Sequence, residues 1–197
     1  MKIVRDMNIY KSLNDNFIRP DKINFDIIPL HKKYKCSYAD VHDIAKLIMI
    51  GNEYDDSLII PEYQRDLVWT LEQKQDLILS ILHGNPIGEF LFKKDKTRSG
   101  SEVEIHWTII DGQQRLNAIK EFIECKFSLP NGQIFDDLKY WDAREFLTGY
   151  SIRALSLQDI TLKDELDIYY SRNFGGTRHT LEDLQKFLNV KEKELDV

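Results

Sequence analysis

Apolar positions first take up a helical rhythm between Tyr38 and Ile50, where Val41, Ile44, Ala45, Ile48 and Met49 recur every three or four residues and Gly51-Asn52 supplies a stop. Leu58-Ile59-Ile60 is too short for a helix and ends at Pro61, so it predicts a strand. The next helix is signalled at both ends. Thr70 can cap it, Gln73 stands in capping-box position, and Leu77, Ile78, Ile81 and Leu82 supply a buried face before Gly84 and Pro86.

Ile87 to Phe92 reads as a strand, Lys93 to Ser101 as a loop, and Val103 to Ile110 as a second strand with Ile105, Trp107 and Ile109 on one face. The two strands can pair as a hairpin. Past Gly112 the helical period returns through Leu116, Ile119, Phe122 and Ile123 to about Cys125, which makes Asp111-Gly112 a strand-to-helix switch. Asn131-Gly132, between Phe127-Ser128-Leu129 and Ile134-Phe135, is a hairpin-turn signal, and Ile152 to Leu157 is a further strand. Two helices follow: Lys163 to Arg172, stopped at Gly175-Gly176, and a last one capped by Thr180 and Asp183 with Leu181, Leu184, Phe187 and Leu188 inward. The first 35 or so residues show no clear period and read as an extended arm or short strands. The predicted class is therefore α/β (α+β).

Composition narrows this picture. A chain of 197 residues can bury one sizeable core, and 42% hydrophobic with 30% charged residues is ordinary for a globular protein and favours neither a disordered nor a fibrous class. The formal net charge of -6 opposes general coating of nucleic acid, which needs Lys and Arg to neutralise phosphates. Lys93, Lys94, Lys96 and Arg98 form a local basic run, but beside Ser99-Gly100-Ser101 it reads as a solvated loop. Cys36 and Cys125 stand far apart without a CxxC or Cys/His grouping, so neither a disulfide framework nor a zinc site is expected. No apolar run resembles a signal peptide or approaches the roughly 20 residues that span a bilayer. A cytoplasmic protein with no membrane partner is expected.

Three clusters carry candidate chemistry. Asp111-Gly112-Gln113-Gln114-Arg115 puts a carboxylate at a strand end, then a glycine that lets a ligand approach the backbone, then a helix start whose N–H groups and dipole favour phosphate. Gln113 and Gln114 offer neutral hydrogen-bonding arms, Arg115 a bidentate grip on phosphate oxygens, and Asp111 a ligand for Mg2+ or an orienter of water. The plain alternative is an ordinary junction in which Asp111 caps the helix and Arg115 pairs with a carboxylate. Tyr63-Gln64-Arg65, followed by Trp69, could stack on a base and grip a phosphate, or else anchor aromatic rings in the core. Arg172-Asn173-Phe174-Gly175-Gly176-Thr177 reads by itself as a helix stop.

Taken in order, Ile60-Pro61-Glu62-Tyr63-Gln64-Arg65 with Trp69, Ile110-Asp111-Gly112-Gln113-Gln114-Arg115-Leu116 and Arg172-Asn173-Phe174-Gly175-Gly176-Thr177 resemble the GmrS-type ParB-like domain family over about Ser57 to Leu184. The resemblance implies a ParB/sulfiredoxin-like core, a small mixed sheet flanked by helices, that binds and often hydrolyses nucleoside triphosphates in bacterial systems restricting modified phage DNA. The implied organisation is an arm over 1–35, a nucleotide-binding core over 36–160 and completing helices over 161–197. By the same resemblance Asp111, Gln114 and Arg115 are the expected catalytic residues, with Asp111 also the metal ligand. Tyr63, Gln64, Arg65, Gly112, Gln113, Asn173 and Gly176 are expected to bind the nucleotide. Family members commonly continue into a helical region and a His-Asn-His nuclease domain, whose motif is absent among the five histidines here. DNA cleavage by this chain alone is therefore not expected, and a separate nuclease or effector subunit is an expected partner.

Two functions follow from that resemblance. One is a Mg2+-dependent nucleoside triphosphatase in a bacterial or phage-encoded restriction setting. The other is a non-catalytic nucleotide- or DNA-binding module that acts through a partner. A sulfiredoxin-like redox role is disfavoured, because neither cysteine has a setting that would lower a thiol pKa.

Overall fold

The two longest strand-forming stretches pair with each other, and the rest of the sheet is laid on either side of them. The computed structural model describes residues 34–38, 43–49, 56–99, 102–173, 186, 187, 189 and 190. Its elements in chain order are β1 (Lys35–Tyr38), α1 (Ile44–Met49), β2 (Asp56–Ile59), α2 (Leu71–Leu82), β3 (Glu89–Ser99), β4 (Glu102–Asp111), α3 (Gln113–Ile123), α4 (Tyr140–Arg144), β5 (Arg153–Gln158) and α5 (Leu162–Asn173). The five strands form one sheet in the order β1-β5-β3-β4-β2. β3 pairs antiparallel with β4 and parallel with β5, β1 is antiparallel to β5, and β2 is parallel to β4, so the sheet is mixed and the class is α/β.

β3 is the middle strand, and Phe90, Leu91 and Phe92 on it are fully buried. Successive side chains leave opposite faces of a strand. Phe90 and Phe92 enter the main core with Trp107 and Ile109 of β4, Ile44 and Leu47 of α1, Leu77, Ile78 and Ile81 of α2, and Ala118, Ile119 and Phe122 of α3. Lys93, pointing the other way, meets Glu165 of α5, so α5 covers the opposite face. Helices on both faces bury the centre of the sheet, which explains its nearly unbroken apolar run.

The start of α2 is fastened as its sequence predicts. The Gln73 backbone N–H donates to Thr70 Oγ1 at 3.3 Å, and the Thr70 N–H donates to Gln73 Oε1 at 2.9 Å. Thr70→Ala is expected to lower stability by about 1 kcal/mol, read by urea unfolding.

Four sequence readings change. The helix predicted from Tyr38 begins instead at Ile44, behind the Asp43 carboxylate, which accepts from the Lys46 N–H at 2.8 Å; Tyr38 belongs to β1. Lys93 to Ser99 is not a loop but the outer half of β3, because β4 supplies a partner for every position along it. There Lys94 lies 4.5 Å over the Trp107 ring, so its charge sits on an aromatic face. Asn131-Gly132 does form a turn, with the Leu129 N–H donating to the Gln133 carbonyl at 2.8 Å, but no strands flank it. Its neighbours Phe127 and Phe135 are taken up by the Phe122 ring at 5.6 and 5.9 Å between centroids, so aromatic packing replaces strand pairing. Finally, α4 and the π-helical turn Glu145–Gly149 have no counterpart in the predicted elements.

The predicted strand at Ile152–Leu157 and helix at Lys163–Arg172 correspond to β5 and α5. Residues 1–33 of the arm expected over 1–35, Gly175-Gly176 and the Thr180 cap lie outside the described residues; Phe187 of the last predicted helix is buried, 5.9 Å from Tyr169 and 5.5 Å from Tyr170 between ring centroids. Among the described residues no helix is long and apolar enough to cross a membrane.

Candidate functional site

The site is built at the switch from β4 to α3. Asp111 ends the strand, and Gly112 turns the chain with φ +108 and contributes no capping side chain. A Cβ on Gly112 would fall 2.4 Å from Phe90 Cδ1, so only glycine fits between the turn and the core. The Leu116 N–H bonds back to the Gly112 carbonyl at 2.9 Å, which leaves the N–H groups of Gln113, Gln114 and Arg115 without an intrahelical acceptor. In front of them opens a cleft of about 240 Å³, lined by Gln64, Arg65, Trp69, Asp111, Gly112, Gln113, Gln114, Arg115, Arg172 and Asn173. Three segments far apart in sequence thus meet in one concavity.

Its three guanidinium groups differ in how they are held. Arg115 donates to the Ile87 carbonyl at 2.9 Å, to the Glu89 carbonyl at 3.0 Å and to Asp111 Oδ1 at 3.2 Å, with its guanidinium 4.7 Å from the centre of the Phe90 ring. It brackets the start of β3 to the start of α3. A Cβ on Gly88 would lie 2.8 Å from this guanidinium, so the strand's approach also depends on a missing side chain. Arg172, at the end of α5, meets Glu89 Oε2 at 3.1 Å and Asp111 Oδ2 at 3.8 Å. Arg65 has no hydrogen-bond or ion-pair partner among the described residues, although it lines the cleft.

Two glutamines act on the backbone. Gln64, nearly buried, donates through Nε2 to the carbonyls of Ile109 and Ile110 at 2.9 and 3.0 Å, beside the register shift where β3 and β4 cannot bond regularly. Gln114 accepts from the N–H groups of Val68 and Trp69 at 3.0 and 3.3 Å through Oε1 and donates to the Asp66 carbonyl at 2.9 Å. Its amide is spent on shaping the Asp66–Trp69 wall. Gln113 differs, because its buried Oε1 has no hydrogen-bond partner among the described residues. An amide oxygen left in this state gains from any donor brought to it.

Of the residues singled out in sequence, Gln64, Arg65, Asp111, Gly112, Gln113, Gln114, Arg115 and Asn173 border one cleft. Tyr63 does not. It is buried, and its hydroxyl donates to Glu165 Oε1 at 2.7 Å beneath the site. Burial, reinforced by the Glu165 carboxylate, pushes its pKa far above the ordinary tyrosine range. The contact its hydroxyl makes here is a structural one. Gly176 lies outside the described residues. Sequence reading passed over Glu89, which no motif marks, and named Arg172 only as the first residue of the third cluster, without a role at the site.

Among the described residues no three His, Cys, Asp or Glu side chains group as metal ligands, and Asp111 is the one carboxylate on the cleft wall. That donor set suits Mg2+ only in the form in which a single carboxylate is supplemented by water and by phosphate oxygens of the substrate.

Fold and site together define an α/β domain with a cationic cleft at a strand-to-helix junction. The chain belongs to the family of the GmrSD restriction endonuclease N-terminal domain, whose model matches residues 44–195, and this associates it with restriction systems. It is also similar to an uncharacterized protein of Methanocaldococcus jannaschii, 28% identical over an alignment of 96 residues, with 40% of this chain and 17% of that protein covered. The match thus spans well under a fifth of that relative's length. No solved structure matches the chain.

Proposed function

We propose that the cleft binds the phosphate chain of a nucleoside triphosphate and that the domain hydrolyses it within a restriction system. The observation that supports this reading is the open N-terminus of α3, without a capping side chain, facing a cleft in which Arg65 has no anionic partner among the described residues. At about 240 Å³ the cleft falls below the roughly 300 Å³ at which small-molecule pockets begin, so it suits the polyphosphate and leaves the base outside. Arg65 and the α3 N–H groups would hold the phosphates, Arg115 would keep Asp111 in place, and Gln113 would offer its oxygen to a hydroxyl of the ligand. Mg2+ held by Asp111 would neutralise charge on the phosphate oxygens when bound. Phosphoryl transfer depends mostly on such positioning and charge stabilisation.

One observation favours the second reading, a binding module without hydrolysis: Asp111 is already committed to Arg115 at 3.2 Å, which leaves no uncommitted carboxylate among the described residues of the cleft to orient water. In that case nucleotide or DNA occupancy would be passed to a partner, a nuclease or other effector subunit in the cytoplasm of a bacterial or phage-infected cell.

Thermal shift and phosphate release with each of the four ribonucleoside triphosphates and Mg2+ separate these readings. Wild type should be stabilised, and Arg65→Ala should weaken binding by about tenfold or more through loss of a charge-assisted contact. Release that disappears in Asp111→Ala supports hydrolysis. Stabilisation without release supports the binding module, and no response from wild type sinks both.

A further inference from the structure

We propose that Arg172 is an exchangeable phosphate ligand of this cleft, held in reserve by Glu89 and handed over when the ligand arrives; this rests on the nucleotide reading above.

The argument starts from what each guanidinium would lose by turning to a ligand. Arg115 would have to release the backbone carbonyls of Ile87 and Glu89 and the Asp111 carboxylate, so it cannot move without loosening the junction. Arg65 has nothing to give up among the described residues. Arg172 lies between these extremes. Its contact with Glu89 Oε2 at 3.1 Å joins two side chains that keep 28% and 25% of their surface in solvent, and its distance to Asp111 of 3.8 Å is too long for a hydrogen bond. A single contact holds Arg172 to one carboxylate oxygen, whereas the several oxygens of a polyphosphate offer its planar fork a bidentate, charge-assisted grip. The phosphate therefore wins the exchange.

Placement gives the exchange a consequence. Arg172 sits in the last turn of α5, and Glu89 is the first residue of β3. Breaking their contact removes one tie between the end of α5 and the sheet. Occupancy of the cleft is thereby reported to the end of a helix that leads away from it, with no movement of the Arg115 bracket.

The test is a double-mutant cycle on ligand affinity. It uses whichever of the four ribonucleoside triphosphates stabilises wild type most, with Mg2+, measured by calorimetric titration on wild type, Glu89→Gln, Arg172→Ala and the double variant. Thermal unfolding without ligand confirms that each is folded, and Arg172→Lys serves as a second variant that keeps the charge and loses the planar fork. Glu89→Gln should tighten binding by about fivefold, since no pair has to be broken. Arg172→Ala should weaken binding by about tenfold, with Arg172→Lys in between.

The coupling decides the matter. If Glu89 acts only through its field on the phosphate, its removal helps more when Arg172 is absent, because an unpaired carboxylate repels more strongly. If Glu89 acts by holding Arg172, its removal helps less in the Arg172→Ala background. A gain that shrinks there supports the handover, and one that persists or grows overturns it. Loss of binding in Arg65→Ala together with an unshrunken Glu89→Gln gain would leave the nucleotide site standing and the handover refuted. Wild type that binds none of the four would remove both.

Discussion

Gly112→Ala is expected to destabilise the protein by about 2–5 kcal/mol and to abolish any ligand-induced stabilisation. Two independent costs meet at this position. The first is conformational: φ +108 is territory that residues with a Cβ rarely enter. The second is steric, since the new methyl would stand 2.4 Å from Cδ1 and 2.9 Å from Cε1 of Phe90. Phe90 is fully buried on the central strand and cannot step aside without moving Phe92, whose ring lies 6.4 Å away between centroids. Overpacking of this kind costs about 1–3 kcal/mol even in cores that relax. Relaxation here would also shift the ring beneath the Arg115 guanidinium, and with it the bracket that positions Asp111. For a chain of this length the loss corresponds to a fall in melting temperature of roughly 10 °C. Urea unfolding that placed Gly112→Ala within about 1 kcal/mol of wild type would show that the turn tolerates a side chain, contrary to this geometry.

What could be read from sequence, and what could not, divides along the range of the interactions concerned. The capping box at Thr70 and the strand-to-helix switch at Asp111-Gly112 are local, and both stand as their spacing predicts. The meeting of Gln64, Arg65 and Asn173 with the Asp111–Arg115 segment is long-range and was reached only through resemblance to a family, since no periodicity brings those positions together. Lys93 to Ser99 misled because charge beside Ser and Gly is the usual mark of a loop. Its strand character comes from β4, a partner that local composition does not encode. The polar residues of the site show the same limit at the level of role. Gln114 and Arg115 have the chemistry to touch a phosphate, yet their hydrogen-bonding groups are largely engaged with backbone. Their effect on a ligand passes through the walls they hold, and Arg65, Arg172 and Gln113 are left as the side chains with capacity to spare or to exchange.

Glu165→Ala should be the other strongly destabilising change, by about 3 kcal/mol, and it should leave the ligand affinity of the folded protein unaltered. Glu165 of α5 is 3% exposed and ties that helix to two other segments: its Oε1 accepts from the Tyr63 hydroxyl at 2.7 Å, and its Oε2 faces Lys93 Nζ of β3 at 3.3 Å. Truncation strands a buried phenol and removes the deeper of the two carboxylates beside Lys93, the other being Asp95 at 3.1 Å. Tyr63→Phe, which leaves the carboxylate with its lysine, should cost only about 1–2 kcal/mol. Glu165→Gln should fall between, because an amide oxygen still accepts from Tyr63 while the charge pair is lost. The pH profile identifies the pair. Burial alone would lower the Lys93 pKa, but Glu165 and Asp95 outweigh it and the net shift is upward from 10.5. A lysine raised on folding contributes stability that is complete below its unfolded pKa and is lost as pH climbs through the folded one. The wild-type advantage over Glu165→Gln should thus be flat through neutrality and shrink above about pH 10.5. If Tyr63→Phe instead weakened nucleotide binding while leaving stability intact, the phenol would belong to the cleft after all, and its hydrogen bond to Glu165 would be a resting contact that the ligand replaces.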